Sequence, residues 1–258
     1  MRFEVQRLCK EFRGRNGVVH ALEGVTFSAE EREFLCIVGP SGCGKTTLLK
    51  VIAGLLEPTS GQIIFSEDTV DGRPRSAMVF QEHGLFPWMT VLDNVAFGLE
   101  MQGVEQEERY DRARNFIEKV GLTPFGNSFP HELSVGMSQR VGIARAFVAD
   151  AQMLLMDEPF GALDTQTRLV LQEELVRIWK EHQKLVVYVT HDIEEAILLG
   201  DRVCVMSGRP GRIREEILVP LHRPRDLSVR DIPEITEIKW HIWEMLEDEV
   251  RKSLWIPS

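Results

Sequence analysis

The stretch GPSGCGKT, residues 39–46, decides the fold. It follows an apolar run, FLCIV, and opens a segment with helical spacing. Glycines let such a loop curl until successive backbone N–H groups point at one anion, and the helix N-terminus adds its positive dipole end. The pattern and its strand-then-helix context therefore predict a phosphate-binding loop of a nucleotide site. The predicted nucleotide contacts are Gly39, Pro40, Ser41, Gly42, Cys43, Gly44, Lys45, Thr46 and Thr47.

Two further groups complete the predicted chemistry. Lys45 is expected to reach the β- and γ-phosphates as a mobile point charge, and the Thr46 hydroxyl to ligate Mg²⁺. The segment MLLMDEP, residues 153–159, carries Asp157 to the carboxyl edge of a sheet, where open α/β sheets bind ligands. Asp157 is expected to hold Mg²⁺ through water, and Glu158 to orient or deprotonate the attacking water. A solvated loop after a strand is the alternative for this acidic pair.

The pattern of apolar segments predicts an α/β fold. Short, wholly apolar runs alternate with helical stretches, which favours a layered, largely parallel sheet. The polar-alternating segment 21–29 adds an N-terminal antiparallel β region. Residues 85–150 contain helical patterns and no convincing strand, so we expect a helical subdomain inserted into the sheet domain. The predicted division is an ATP-binding core at 1–84 and 151–220, the helical subdomain at 85–150 and a C-terminal helical extension at 221–258.

Composition limits the class of protein. The 258 residues carry a net charge of -10, so no basic field attracts the chain as a whole to nucleic acid, and nucleic acid is not expected as a partner. The four cysteines lack the spacing of a metal site. Cys36 and Cys204 lie in apolar runs and are expected to pack in the core. A reducing cytosol fits this cysteine pattern best. No secretory signal is expected at the N-terminus. The apolar runs are far shorter than the ~20 residues that span a bilayer, so any membrane crossing is expected from another chain.

At this point the chain resembles the ATP-binding-cassette (ABC) ATPases, over residues 1 to about 220. Gln81 in VFQEHGLFPW matches the family's glutamine loop, which touches Mg²⁺ and water. Asp164 in GALD matches the loop that crosses the dimer interface. His191 in VYVTHDIEEA matches the switch histidine at the γ-phosphate, and Phe12 matches the aromatic that stacks on adenine. The resemblance implies a P-loop ATP hydrolase whose catalytic residues are Lys45, Gln81, Glu158 and His191.

A finer resemblance is to the nitrate, sulfonate and taurine importer subgroup, carried by segments such as MDEPFGALDTQTR and THDIEEAILLGDRVCVMSGRPGRI. It implies a homodimer joined head to tail through ATP, at the cytoplasmic face of the inner membrane. It also implies integral membrane permease subunits and an extracytoplasmic solute-binding protein acting through them. The permease contact is expected near Phe86, Pro87 and Trp88, and burial of these residues against the protein's own core is the alternative.

The signature segment LSVGMSQR, residues 133–140, departs from the family pattern. Ser134 and Gly136 match the positions that offer a hydroxyl and a backbone N–H to the γ-phosphate, and Ser134 is a good helix N-cap. Met137 looks like a subgroup trait. Val135 replaces a glycine, which is tolerable at a helix start but severe if φ must be positive. The alternatives are a slow or regulatory ABC subunit with an impaired signature, an ABC ATPase subunit of another transporter class, and a soluble ABC ATPase acting on nucleic acid.

Overall fold

The computed structural model describes residues 1–14, 17–66, 73–81, 84–221, 223, 225 and 232–254. By internal contacts the chain forms two compact units, which we call the phosphate-loop unit, residues 1–67 and 185–258, and the signature unit, residues 68–184. The elements are β1 (Phe3–Gly14), β2 (Gly17–Ala29), β3 (Phe34–Val38), α1 (Lys45–Ile52), β4 (Ser60–Phe65), β5 (Ser76–Val79), α2 (Val91–Met101), α3 (Gln106–Lys119), α4 (Val135–Val148), β6 (Met153–Asp157), α5 (Thr165–His182), β7 (Leu185–Thr190), α6 (Ile193–Leu199), β8 (Arg202–Met206), β9 (Ile213–Leu218) and α7 (Pro233–Leu254).

An antiparallel sheet forms the N-terminal part of the phosphate-loop unit, with strand order β2-β1-β4. Phe3, Val5 and Leu8 of β1 are buried, and their alternation with more exposed neighbours is what a half-covered strand requires. The ring of Phe3 lies 6.0 Å from that of Phe27 on β2. The predicted N-terminal antiparallel β region is therefore confirmed.

The second sheet of this unit runs β7-β3-β8-β9. The pairs β3–β7 and β3–β8 are parallel, whereas β8–β9 is antiparallel. All five residues of β3 are buried, as expected of a central strand covered on both faces. Cys36 and Cys204 lie in this core without solvent exposure, which confirms their predicted packing role. Because β3 is central and parallel, its carboxyl end delivers the loop at residues 39–44 to the ligand-binding edge.

The signature unit combines the parallel strand pair β5–β6 with the helices α2 to α5. Residues 85–150, all of them described, form α2, α3, α4 and two short 3-10 turns, Thr123–Phe125 and Pro130–Glu132, with no strand. Val95, Leu99 and Ile117 are among the buried side chains that join these helices. The compact unit also takes in β5, β6 and α5, so the limits of the inserted subdomain and the remaining domain boundaries stay predictions.

Helix α7 closes the described part of the chain. It begins at Pro233, the residue predicted for its first turn, and Ile235, Ile242 and Leu246 are buried. Trp240 is 58% exposed and Trp243 is 36% exposed. In the predicted extension, residues 222, 224, 226–231 and 255–258 and the side chains of residues 250 and 252–254 lie outside the described residues. Among the residues described, no helix combines the length and apolar character that crossing a bilayer requires.

Candidate active site

The loop between β3 and α1 has the backbone that the glycine pattern predicts. Gly42 and Gly44 have φ values of +76° and +113°, in the left-handed region where glycine is the residue without a steric cost. A Cβ at Gly44 would lie 2.8 Å from the carbonyl oxygen of Ala21, and one at Gly39 would lie 2.7 Å from that of Met206. Both contacts are too close for any side chain. The local fold therefore requires these glycines, which supports a cradle formed by backbone groups.

Lys45 lies inside this loop. Its side chain is 5% exposed, and its Nζ donates hydrogen bonds to the carbonyl oxygens of Gly39 at 2.8 Å and Pro40 at 3.2 Å. Helix α1 begins at Lys45, and the first N–H groups of an α-helix have no acceptor within the helix itself. A buried ammonium and a helix N-terminus converge here, which is the donor set that a phosphate chain requires. The residues present fit a nucleotide phosphate.

Cys43 contributes through its backbone. The side chain is buried, and burial raises the pKa of the thiol, so the sulfur stays protonated and packs as an apolar group. The Cys43 N–H donates to the carbonyl oxygen of Pro40 at 3.3 Å, which closes the loop on itself. A phosphate bound here would meet the peptide groups of the loop rather than the thiol.

His191 follows β7 and precedes α6, in the same unit. Asp192 caps α6 by accepting hydrogen bonds from the N–H groups of Glu194, at 2.9 Å, and Glu195. The buried carboxylate of Glu195 accepts from the Tyr188 hydroxyl at 2.8 Å and from Thr190. His191 therefore lies on a turn fixed on both sides, while its own side chain is exposed. The sequence motif did not indicate these hydrogen bonds on either side of His191.

Phe12 occupies an exposed position on β1. The ring is 42% exposed, and the Lys10 ammonium lies 5.3 Å from its centroid. An exposed aromatic face suits stacking on a planar base. The adenine contact stays a prediction.

In the signature unit, β6 ends at Asp157, which is buried, and Glu158 follows in a left-handed conformation with φ of +44°. This conformation is uncommon for a residue with a Cβ and is found often at functional sites. The N–H of Gly161 donates to the Glu158 carbonyl at 3.1 Å, and this turn holds the conformation. The strand-end position expected for both carboxylates is confirmed, whereas their catalytic and metal-binding roles stay predictions.

Asp164 has a structural role in addition to the predicted one. It is the N-cap of α5, where its carboxylate accepts hydrogen bonds from the N–H groups of Thr167 at 3.0 Å and Gln166 at 3.1 Å. The hydrogen bond from the Thr167 backbone is the main cause that lowers the pKa of this carboxyl. Asp is a preferred N-cap residue at the start of a helical pattern, and this was a signal that the sequence could have revealed.

The signature segment forms the start of α4. Ser134 is its N-cap, and the Ser134 Oγ accepts a hydrogen bond from the Met137 N–H at 3.3 Å, so the predicted cap is confirmed. Val135 is the first helical residue, outside the left-handed region, and its side chain is 50% exposed. A Cβ at Gly136 would lie 3.3 Å from Thr167 Cγ2, so this glycine packs closely on α5. The steric objection to Val135 does not apply in this backbone.

We expect the Val135→Gly variant to keep ATP turnover within about twofold of the parent. Because glycine loses more backbone entropy in a helix than valine, stability should fall by about 0.5 kcal/mol. ATPase assays and urea unfolding measure both quantities. Val170→Gly, an exposed position inside α5, serves as the matched control for the helix effect. A several-fold rise in turnover for Val135→Gly alone would contradict this expectation and indicate an impaired signature.

An open groove of about 740 Å³ lies beside this helix start. Gln81 and Val135 line it, together with Gly84, Leu85, Pro130, His131, Ser138 and Ala162. The groove therefore joins two sequence-predicted features, the glutamine loop and the signature, within one unit.

The segment at residues 86–90 is held by a residue that the sequence motifs did not indicate. Asn94 is fully buried, accepts from the Phe86 N–H at 2.8 Å, and donates to the carbonyls of Phe86, Met89 and Thr90. Phe86 packs against Phe97 with ring centroids 4.6 Å apart, whereas Trp88 is 70% exposed. One ring is therefore packed on the unit and the other is presented to solvent, and the permease contact stays a prediction. A polar residue on the buried face of α2 was the available signal.

Comparison with known proteins identifies the family. Residues 22–161 match the ABC transporter family. The nitrate import ATP-binding protein NrtD of Synechocystis is 48% identical over 222 residues, which cover 86% of this chain and 84% of that protein. The aliphatic sulfonates import ATP-binding protein SsuB of Bacillus cereus is 43% identical over 239 residues, covering 91% and 93%. The taurine import ATP-binding protein TauB of Pelagibacter ubique is 43% identical over 250 residues, covering 92% of each chain.

A solved structure supports the same conclusion. MJ0796, a bacterial ABC transporter cassette seen as a dimer, superposes with a TM-score of 0.75 at 32% identity, and the match covers 85% of this chain and all of MJ0796. The same cassette has been solved in a post-hydrolysis state bound to ADP and phosphate.

The chain belongs to the ABC transporter family. It is an ATP-binding P-loop protein and an ATP hydrolase of the kind that accompanies nitrate, sulfonate and taurine importers.

Proposed function

We propose that this chain is the ATPase subunit of an importer for a small anion or organosulfur compound of the nitrate, sulfonate or taurine type. The observation that carries the proposal is the pairing of a complete phosphate loop with a capped signature helix whose Ser134 and Gly136 are retained. The similarity to relatives named for nitrate, aliphatic sulfonate and taurine import, which covers 86–92% of this chain, supports the substrate class.

The active form in this proposal is a homodimer joined head to tail, in which each ATP lies between the phosphate loop of one subunit and the signature helix of the other. Lys45 leaves part of the γ-phosphate charge uncompensated, so a second helix N-terminus, that of α4, is electrostatically favourable there. Ser134 would add its hydroxyl and Gly136 its backbone N–H. The dimeric relative supports this arrangement.

The roles of the remaining residues follow from their chemistry. Thr46, Gln81 and Asp157 supply the hard oxygen ligands that Mg²⁺ prefers. When bound, Mg²⁺ neutralises phosphate charge in phosphoryl transfer. Glu158 accepts a proton from the attacking water, and His191 donates a hydrogen bond to the γ-phosphate. Phe12 stacks on the adenine, and Asp164 spans the subunit interface.

The proposed location is the cytoplasmic face of the inner membrane, where the chain is peripheral and is held by integral permease subunits. A solute-binding protein on the other side would act through the permease. The groove beside Gln81 and the exposed ring of Trp88 support a docking surface in the signature unit. A solvent-exposed tryptophan is a side chain that commonly anchors an interface. ATP-driven closure of the dimer would move this surface and so switch the permease.

The test of this function is ATP hydrolysis by the complex with its permease, co-purified and reconstituted in lipid. Nitrate, an alkanesulfonate and taurine are added in turn with the solute-binding protein present. We expect one of them to stimulate hydrolysis several-fold over the basal rate. If the chain co-purifies with a permease and none of the three solutes stimulates hydrolysis, the proposed substrate class is wrong.

The Trp88→Ala variant should lose the solute-stimulated part of this hydrolysis, because a central tryptophan typically contributes about 2 kcal/mol or more to an interface. ATP affinity and thermal stability of the isolated chain should not change, since most of the ring faces solvent. Trp240→Ala, at an exposed tryptophan on α7, is the matched control. A complex that forms and is stimulated normally with Trp88→Ala would rule out Trp88 as the permease contact.

A further inference from the structure

The turn between β8 and β9, residues 207–212, lies against the phosphate loop. A Cβ at Gly211 would be 2.3 Å from the carbonyl oxygen of Cys43. The guanidinium of Arg209 donates a hydrogen bond to the carbonyl oxygen of Gly42 at 3.2 Å. The turn is also attached to β2, because the Gly211 N–H donates to Ala21 at 2.9 Å. The family motifs found in the sequence assign no role to Arg209.

The contact from Arg209 acts on one peptide group. The carbonyl of Gly42 and the N–H of Cys43 belong to the same planar peptide and point in opposite directions. The carbonyl oxygen of this peptide accepts from Arg209, and its N–H donates to the carbonyl oxygen of Pro40. Gly42 has a φ of +76° and no Cβ, so its backbone could adopt many other conformations if it were released. Arg209 therefore limits the orientations open to the phosphate loop.

Helix α7 holds this turn in place. The Gly208 N–H donates to the carboxylate of Glu249, and Arg214 of β9 donates to the same carboxylate. Arg214 also donates to the Met245 carbonyl at 2.8 Å, so this β9 residue is attached to α7 at two points. Within the turn, the Ser207 hydroxyl accepts from the Arg212 N–H at 3.0 Å. Helix α7, the turn and the phosphate loop thus form a continuous series of hydrogen bonds inside one unit.

We propose that Arg209 is a positioning residue for the phosphate loop, and that Glu249 of α7 controls it through the turn at 207–212. The C-terminal helix then sets the affinity of the chain for ATP, because the loop must hold its N–H groups convergent to bind phosphates. The effect belongs to nucleotide binding. It does not depend on the transported solute or on docking to the permease.

The test is equilibrium binding of a fluorescent ATP analogue to the full chain, with ATPase kinetics on the same samples. Losing a charge-assisted hydrogen bond should raise the Kd of Arg209→Ala about five- to tenfold. Arg209→Lys keeps a donor and should recover part of the affinity. The kcat at saturating ATP should stay within about twofold, since Arg209 does not touch the reacting atoms.

Glu249→Gln should raise the Kd in the same direction by about three- to fivefold, because the neutral amide holds Gly208 and Arg214 less tightly. The double variant should be less than additive, since both residues act through one turn. Glu247→Gln removes an exposed ion pair to Arg251 on the same helix and is the matched control. Circular dichroism and melting temperatures check that α7 stays folded. If Arg209→Ala binds ATP like the parent, or Glu249→Gln behaves like Glu247→Gln, the proposal is wrong.

Discussion

The Glu158→Gln variant is expected to bind ATP with the affinity of the parent and to hydrolyse it about a hundredfold more slowly or worse. Glutamine has the shape of glutamate but accepts no proton from water, so it removes the proposed base without removing the side chain. The backbone should tolerate the change, because glutamine and glutamate meet the same steric cost at the left-handed φ of this position. Steady-state ATPase kinetics and nucleotide binding separate the two effects.

A second measurement makes this prediction specific to the proposed dimer. If ATP joins two subunits and hydrolysis releases them, the Glu158→Gln chain should run as a stable dimer in the presence of ATP and Mg²⁺. Light scattering coupled to size-exclusion chromatography reports the mass. Glu173→Gln, an exposed glutamate on α5, is the matched control and should behave as the parent. Normal turnover in Glu158→Gln would remove the role assigned to this carboxylate.

The features predictable from the sequence are those fixed by local chemistry and burial. The run FLCIV predicted β3 because a strand covered on both faces must be apolar throughout, and all five residues are buried. The glycines at residues 39–44 predicted a tightly curled loop, and the backbone there does exclude a Cβ at Gly39 and Gly44. Ser134 was identified as an N-cap because the short hydroxyl side chain satisfies helix donors.

Features that depend on distant parts of the chain were not predictable. Strand β9, IREEIL, is mostly exposed, and its few apolar residues do not alternate regularly with polar ones. Its extended conformation is determined by pairing with β8. The left-handed conformation of Glu158 has no sequence signal, because the turn after β6 imposes it. Arg209 and Gly42 meet across 167 positions of the chain. Contacts of that separation follow from topology and not from any local pattern.

The sequence also left a question about Val135 that the backbone answers in part. The concern was a positive φ, which a β-branched residue does not tolerate. Val135 instead begins α4 in a helical conformation with half of its side chain exposed. The cap at Ser134 and the close packing of Gly136 on Thr167 are both retained around it. A working signature is therefore compatible with this residue, which favours the active ATPase over the slow regulatory alternative.

Lys45→Ala is expected to lower the affinity for ATP about a hundredfold. The variant loses two charged hydrogen bonds from Lys45 to the β- and γ-phosphates, at about 1.5 kcal/mol each. Lys50→Ala is the matched control, because Lys50 lies at the exposed end of the same helix. Equilibrium binding of a fluorescent ATP analogue measures both variants. A second consequence is a loss of stability by about 1–2 kcal/mol, since the carbonyls of Gly39 and Pro40 lose their buried donor.

Lys45→Arg separates charge from placement. If a positive charge near the loop were sufficient, arginine would restore ATP binding, because the guanidinium is always charged. The lysine side chain is only 5% exposed and donates to two carbonyls of a closed loop, so a planar and bulkier head group does not fit there. We therefore expect Lys45→Arg to bind ATP nearly as weakly as Lys45→Ala. Recovery of parental affinity in Lys45→Arg would mean that the loop binds phosphate through net charge and not through a placed donor.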